Sequence, residues 1–202
     1  MRYTIFTGFL GAGKTTAIRS FADYYLARTA RFSQGGKNRI VILENEIGEV
    51  SYDDAILSDS GYAVRGMTAG CICCSLIGEL TVAIHEILDD ISPECLILEP
   101  TGIASPKNIL DALSGFLLPD DEVWVVSVVD ATRYHAARER IPKLLDDQLE
   151  HADLVLLNKI DSLENTEIRG ILHELREDVG DTEVFPCSLS GGADPSLWGA
   201  LL

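Results

Sequence analysis

Short, almost purely apolar runs recur along the chain at residues 3–7, 40–43, 95–98, 123–129, 154–157 and 184–185. Runs rich in Val, Ile and Leu, without polar alternation, suit strands buried on both faces of a parallel sheet. Between them, residues 14–28, 77–90, 106–116, 132–150 and 164–179 space their apolar positions three or four apart. Ile168, Ile171, Leu172, Leu175 and Val179 share one such stripe, as expected of helices that bury a single face. Strand and helix in alternation, with short connections, predict an α/β fold: a mostly parallel sheet, right-handed crossovers and helices on both faces. Ligands in such sheets bind at the carboxyl ends of the strands, so motifs there gain weight. Two stretches break the rhythm. Residues 30–38 read as a polar, Gly-containing loop, and residues 44–70 as a longer polar segment with a candidate short edge strand at 62–64. The last residues, 191–202, read as a final helix or the start of a connection.

Composition narrows the functional classes. The chain has 202 residues, 47% of them apolar and 24% charged, which suits one globular domain and not a disordered segment. No apolar run reaches the roughly 18 residues of a membrane span, so a soluble protein without a membrane role is expected. Sixteen Lys and Arg against 32 Asp and Glu give a net charge of −16. That balance repels a phosphate backbone, and nucleic acid is not an expected partner. Five cysteines are an odd set for a disulfide framework, and three of them fall within four residues. A reducing, cytoplasmic compartment with free or metal-bound thiols follows.

Three motifs sit at strand ends. Gly8-Phe9-Leu10-Gly11-Ala12-Gly13-Lys14-Thr15 fits GxxxxGK[ST] between a predicted strand and a predicted helix. Such a loop turns the N–H groups around Gly8, Gly11, Ala12 and Gly13, and those of Thr15 and Thr16, toward phosphate. Lys14 reaches the β/γ phosphates and the Thr15 hydroxyl ligates Mg²⁺. Asn158-Lys159-Ile160-Asp161 follows the strand at 154–157. The Asp161 carboxylate can accept from both the ring N–H and the exocyclic amine of guanine, a donor pair adenine lacks, so GTP is preferred over ATP. Glu99-Pro100-Thr101-Gly102 ends a third strand; Glu99 can hold Mg²⁺ and the Gly102 N–H can sense the γ-phosphate. Lys14, Thr15 and Glu99 are the candidate catalytic residues. Most P-loop proteins carry Asp where this chain has Glu99.

Gly70-Cys71-Ile72-Cys73-Cys74 adds a second chemistry. Cys71 and Cys74 have CxxC spacing and Cys73 offers a third thiolate. With no fourth local cysteine the site needs an outside ligand, and Glu44, Glu46 and Glu49, leaving the second strand, are candidates. Thiolates with carboxylates admit zinc, cobalt, iron or nickel. A redox CxxC and plain buried thiols are the competing readings. Cys95 and Cys187 fall in apolar context and read as core, as does Trp124. His85, His135, His151 and His173 show no metal-pair spacing and read as surface or boundary residues.

With GFLGAGKTT, ENEIGE, GCICCS, EPTG and NKID, the chain resembles the G domain of the CobW family of metallochaperone GTPases. VVSVVDA (residues 125–131) and QLEHADLVLLNKID (148–161) also look like the family pattern. The resemblance covers nearly the whole chain and implies a SIMIBI-class P-loop GTPase with slow intrinsic hydrolysis. It further implies that Asn158, Lys159 and Asp161 take guanine, and that zinc or cobalt binds between Cys71, Cys73 and Cys74 and the carboxylates of Glu44 and Glu49. Metal is then released to a client metalloenzyme on hydrolysis, the switch being a monomer or a nucleotide- or metal-dependent dimer. Family members commonly continue into a smaller C-terminal domain after a His-rich stretch, so residues 1–202 are expected to form the GTPase domain alone. No Gln, Arg or His is recognisable as the residue that positions the hydrolytic water. A P-loop small-molecule kinase or ATPase, which NKID argues against, and a redox-sensing nucleotide-binding module are the alternatives.

Overall fold

A computed structural model describes residues 1–29, 40–46, 56–57, 62–68, 76–100, 104–192 and 194–201. Among these residues eight strands, β1 (Arg2–Thr7), β2 (Ile40–Glu46), β3 (Ile56–Leu57), β4 (Tyr62–Thr68), β5 (Cys95–Glu99), β6 (Glu122–Asp130), β7 (Leu154–Asn158) and β8 (Glu183–Pro186), form one sheet in the order β3-β4-β2-β5-β1-β6-β7-β8. Every pairing is parallel except β3 with β4. The expected α/β class and parallel sheet are borne out. The short edge strand expected at 62–64 is instead the seven-residue β4, paired with β2 along its length and covered on its other side by β3.

Among the described residues six α-helices accompany the sheet: α1 (Lys14–Thr29), α2 (Leu76–Asp90), α3 (Pro106–Leu113), α4 (Tyr134–Arg140), α5 (Pro142–Glu150) and α6 (Asn165–Val179). The single helix expected over 132–150 is broken at Ile141, whose φ of −137° and ψ of 48° leave the helical region. The cause is local. Pro142 has no N–H to donate and disfavours helical backbone in the residue before it. The helix expected over 106–116 stops at Leu113.

Alternation along the strands sorts the core onto two faces. Phe6, Val126, Val128, Leu154 and Leu156 pack with Ile18 and Phe21 of α1, while Ile5, Leu98 and Val125 pack with Ile84 and Ile87 of α2, and Val155 and Leu157 with residues of α5 and α6. The chain's last described turns, Pro195–Leu201, lie beside α1. Trp198 there is fully buried, edge-on to Phe6 and Phe21, with its indole N–H donating to Ser20 Oγ at 3.0 Å. This segment is therefore packed against the core in 3₁₀ geometry. Among the described residues no helix is long and apolar enough to cross a membrane.

The first strand lies between β5 and β6, where the direction of strand order changes. A crevice for ligand forms outside the carboxyl ends at such a switch point. Glu44, Glu99, Thr7, Asp130 and Asn158 all stand at that edge.

Candidate functional site

The loop from Gly8 to Gly13 joins β1 to α1 with positive φ at Gly8 (129°), Gly11 (78°) and Gly13 (106°). Two of these glycines are required by packing as well as by backbone angle. A Cβ on Gly8 would stand 2.2 Å from the Val128 carbonyl oxygen of β6, and one on Gly13 would stand 2.4 Å from Asn158 Nδ2. Ala12 N–H closes the turn on Phe9 O at 3.1 Å, and Ala17 N–H begins α1 on Gly13 O at 3.0 Å. Lys14 is buried, with Nζ 3.4 Å from Phe9 O. Burial holds its ammonium below the ordinary lysine range, and Glu99 opposes that shift. Thr15 and Thr16 are exposed in the first turn.

The Thr15 hydroxyl donates to both oxygens of Glu99, at 3.1 and 3.2 Å. Mg²⁺ takes oxygen ligands at about 2.0–2.1 Å in an octahedron, which sets neighbouring oxygens about 3 Å apart. A hydroxyl and a carboxylate at this spacing, beside a buried cation, fit that ion in both donor chemistry and separation. Glu in place of the superfamily's usual Asp thus still reaches Thr15.

The base-side loop is tied to the phosphate-side loop. Lys159 adopts the left-handed conformation (φ 65°, ψ 32°), and its ammonium donates to Gly11 O and to Asp130 Oδ2, both at 2.6 Å. Burial pushes the Asp130 carboxyl up, but hydrogen bonds from Lys159 and Thr132 outweigh it and hold the group below the usual carboxylate range. Asn158 is buried and bonded at both ends of its amide: Nδ2 donates to Ala12 O at 2.8 Å and Oδ1 accepts from Leu189 N–H at 3.0 Å. Asp161 is exposed and accepts from Ser188 Oγ. In this structure Asn158 and Lys159 brace the loop around Gly11 and Ala12, and Asp161 is the member of the motif presented to solvent.

This division predicts distinct phenotypes. Asn158→Ala should leave the buried Ala12 carbonyl and Leu189 N–H unpaired, at about 1–3 kcal/mol for each group. Urea denaturation of the nucleotide-free protein should register that loss; a variant as stable as the parent would show that Asn158 does not brace the loop.

Asp130 and Gln148 are site residues that no motif in the sequence singles out, although both belong to stretches that resemble the family pattern. Gln148 carried a readable signal: it is a polar residue inside the buried stripe of α5, between Leu145 and Leu149. Cys71, Cys73, Cys74, Glu49 and Gly102 lie outside the described residues. β2 runs on through Glu46, so Glu44 and Glu46 lie within the strand rather than beyond it; Glu44 is half-buried, in register with Glu99. Among the described residues no cluster of three or more His, Cys, Asp or Glu side chains could hold a metal ion. Cys95 is buried and Cys187 half-buried, and burial pushes both thiols up to about 12. Trp124 packs against the core on the α1 face. His85, His135 and His173 are exposed and His151 half-buried.

A doubly covered parallel sheet with a glycine loop, a buried lysine and a paired hydroxyl and carboxylate at its switch point defines a P-loop nucleotide-binding domain. The family model for the CobW/HypB/UreG nucleotide-binding domain matches residues 2–185, and the chain belongs to that family. It is 32% identical over 165 residues to the zinc chaperone YeiR of Escherichia coli strain K12, covering 79% of this chain and 47% of that one. It is 34% identical over 169 residues to the zinc chaperone YjiA of the same strain, covering 78% and 49%. The crystal structure of the Zn(II)-bound YjiA GTPase superposes with a TM-score of 0.57 at 25% identity, covering 87% of this chain and 54% of that one. The chain spans about half the length of the curated relatives it matches.

Proposed function

We propose that this domain is the GTP-driven switch of a zinc chaperone: it hydrolyses GTP with water to GDP and phosphate, slowly, and couples the nucleotide state to metal affinity. The observation that carries the reading is the Thr15–Glu99 pair beside buried Lys14 at the end of β1. Relatives named as zinc chaperones support the choice of cargo, and the similar structure described as the YjiA GTPase supports the choice of nucleotide. Thr15 and Glu99 would hold Mg²⁺, which supplies neutralisation of the β/γ-phosphate charge when bound. Lys14 adds a second positive charge, in a site where burial strengthens it, and the backbone N–H groups of residues 11–16 orient the phosphates. Asp161 reads guanine through its two donors.

Cargo metal is assigned to Cys71, Cys73 and Cys74 with the carboxylates of Glu44 and Glu49, on the strength of the CxCC spacing and the relatives' names. Zinc is the favoured cargo, with cobalt the competitor that the same donor set admits. The recipient is a client metalloprotein, the setting cytoplasmic, and the switch a monomer or a nucleotide- or metal-dependent dimer. A metal switch requires different affinities in the two nucleotide states; equal binding transfers nothing, however tight. Titration calorimetry of the reduced protein with Zn²⁺ and Co²⁺ should give at least about a tenfold difference in Kd between GDP and a nonhydrolysable GTP analogue, within the usual range of coupling. Equal Kd values in the two states would refute the chaperone reading while leaving nucleotide binding intact.

A further inference from the structure

Gln148 is 1% exposed and sits where the end of β1 meets the stretch that follows β5. Its Oε1 accepts from the Gly8 N–H at 2.8 Å and from the Thr7 hydroxyl at the end of β1. Its Nε2 donates to the carbonyl of Ala104 at 3.0 Å. Ala104 lies five residues beyond Glu99, on the stretch that leaves β5. The neighbouring residue of α5 doubles the tether: Ser105 Oγ donates to Asp147 Oδ1 at 3.0 Å. Two adjacent residues of one helical turn therefore hold the entrance of the phosphate loop and residues 104–105, which follow β5 in the chain.

The chemistry of an amide explains why this position is Gln. A carboxamide offers acceptor and donor on one planar group. Here the acceptor end takes two hydrogen bonds from the β1 side and the donor end gives one to the β5 side. A carboxylate of the same length could serve only the first, and an aliphatic side chain neither. In a buried setting each group left unpaired costs free energy, so the arrangement holds both partners at a fixed spacing.

We propose that Gln148 is a positioning residue for the reaction: it sets the distance between the phosphate loop and the Glu99 strand end, so that Glu99 and Thr15 converge on one Mg²⁺. Asp147 reinforces it through Ser105. This inference rests on the guanine-nucleotide switch proposed above and extends it to a residue that contacts neither nucleotide nor metal.

Gln148→Glu separates the two ends of the amide. It keeps the acceptor for Gly8 and Thr7, removes the donor to Ala104 and sets a carboxylate against that carbonyl. Fluorescent GDP binding in EDTA reports the phosphate loop alone, and should be retained. Tightening of a nonhydrolysable GTP analogue by Mg²⁺ reports the Thr15–Glu99 spacing: the Mg²⁺ concentration for half-maximal tightening should rise about tenfold, and kcat should fall about 10²-fold, as a displacement near 1 Å can produce. Gln148→Leu should lose both properties. Ser105→Ala, which leaves the amide in place, should raise the Mg²⁺ requirement by a smaller factor with GDP binding in EDTA unaffected, and it keeps the test open if Gln148→Glu fails to fold. An unchanged Mg²⁺ requirement in a folded Gln148→Glu, or in Ser105→Ala, overturns the proposal. So does equal loss of GDP binding and Mg²⁺ response in a folded Gln148→Glu, which would make Gln148 a support of the phosphate loop alone. Absence of GDP binding by the unsubstituted protein would instead overturn the nucleotide reading beneath it.

Discussion

Lys14→Met is expected to abolish the stabilisation of the domain by GTP while leaving the nucleotide-free protein at least as stable as the parent. Both halves follow from where the ammonium sits. Lys14 is buried, and burial lowers its proton affinity against the opposing pull of Glu99. A base whose folded pKa lies below its unfolded value carries a desolvation cost in the folded state wherever it is charged there. That cost is relieved as pH rises from the lowered folded value toward the ordinary lysine value near 10.5, and below that window the native state bears it in full. Methionine matches the stem and removes the charge. Without ligand, the melting temperature should therefore hold or rise by a few degrees. With ligand, the phosphates lose the cation the loop is built around. Saturation at about 100 times Kd adds about 2.7 kcal/mol to a protein that binds one ligand, and this gain should vanish. The hydrolytic rate should drop by about 10²–10³-fold, the usual effect of removing one preorganised group from a transition-state charge. Thermal melts with and without GTP·Mg²⁺ check the first claim and single-turnover hydrolysis the second. A variant that retains the ligand-induced shift would place Lys14 outside the phosphate site.

What could be read in the sequence, and what could not, divides along a physical line. The apolar runs of β1, β5, β6 and β7 and the helical stripes of α1, α2 and α6 were legible because burial on two faces or one leaves a periodic mark. The strand-loop-helix setting of Gly8–Thr15 was legible because glycine at positive φ leaves few other residues possible. Long-range ties left no such mark. Asn158 reads in sequence as a base-contacting residue, yet its amide spans 146 positions to Ala12, and nothing local announces that partner. Gln148 reaches Gly8 across 140 positions; only its place in an apolar stripe hinted at a buried polar role. Arg65, Gly66 and Thr68 interrupt the apolar pattern of β4, a strand with β3 beside it, so its full length leaves no clear mark. The burial of Trp198 leaves none either, because a 3₁₀ segment carries neither the period of a helix nor that of a strand.

Asp161→Asn is the substitution that tests the base-reading loop, and its expected result is a change of nucleotide and not a loss of fold. Guanine presents a ring N–H and an exocyclic amine side by side, two donors for one carboxylate. Asn offers one acceptor and one donor, so the amine of guanine faces an N–H and two donors collide. Xanthine replaces that amine with a carbonyl, which restores a matched pair. GTP affinity should fall by about 10²-fold or more, the combined loss of a charge-assisted hydrogen bond and the cost of an unpaired buried donor. XTP should become the preferred triphosphate. The fold should tolerate the change, because Asp161 is exposed and its bond from Ser188 Oγ needs only an acceptor, which the Asn carbonyl supplies. This contrasts with Asn158→Ala, whose loss appears without any nucleotide. Competition of GTP, XTP and ATP against a fluorescent analogue, with urea denaturation of the nucleotide-free variant alongside, resolves the two residues. Undiminished preference for GTP over XTP in Asp161→Asn would remove Asp161 from the base site, and a preference for ATP in the parent would return the chain to the kinase or ATPase class.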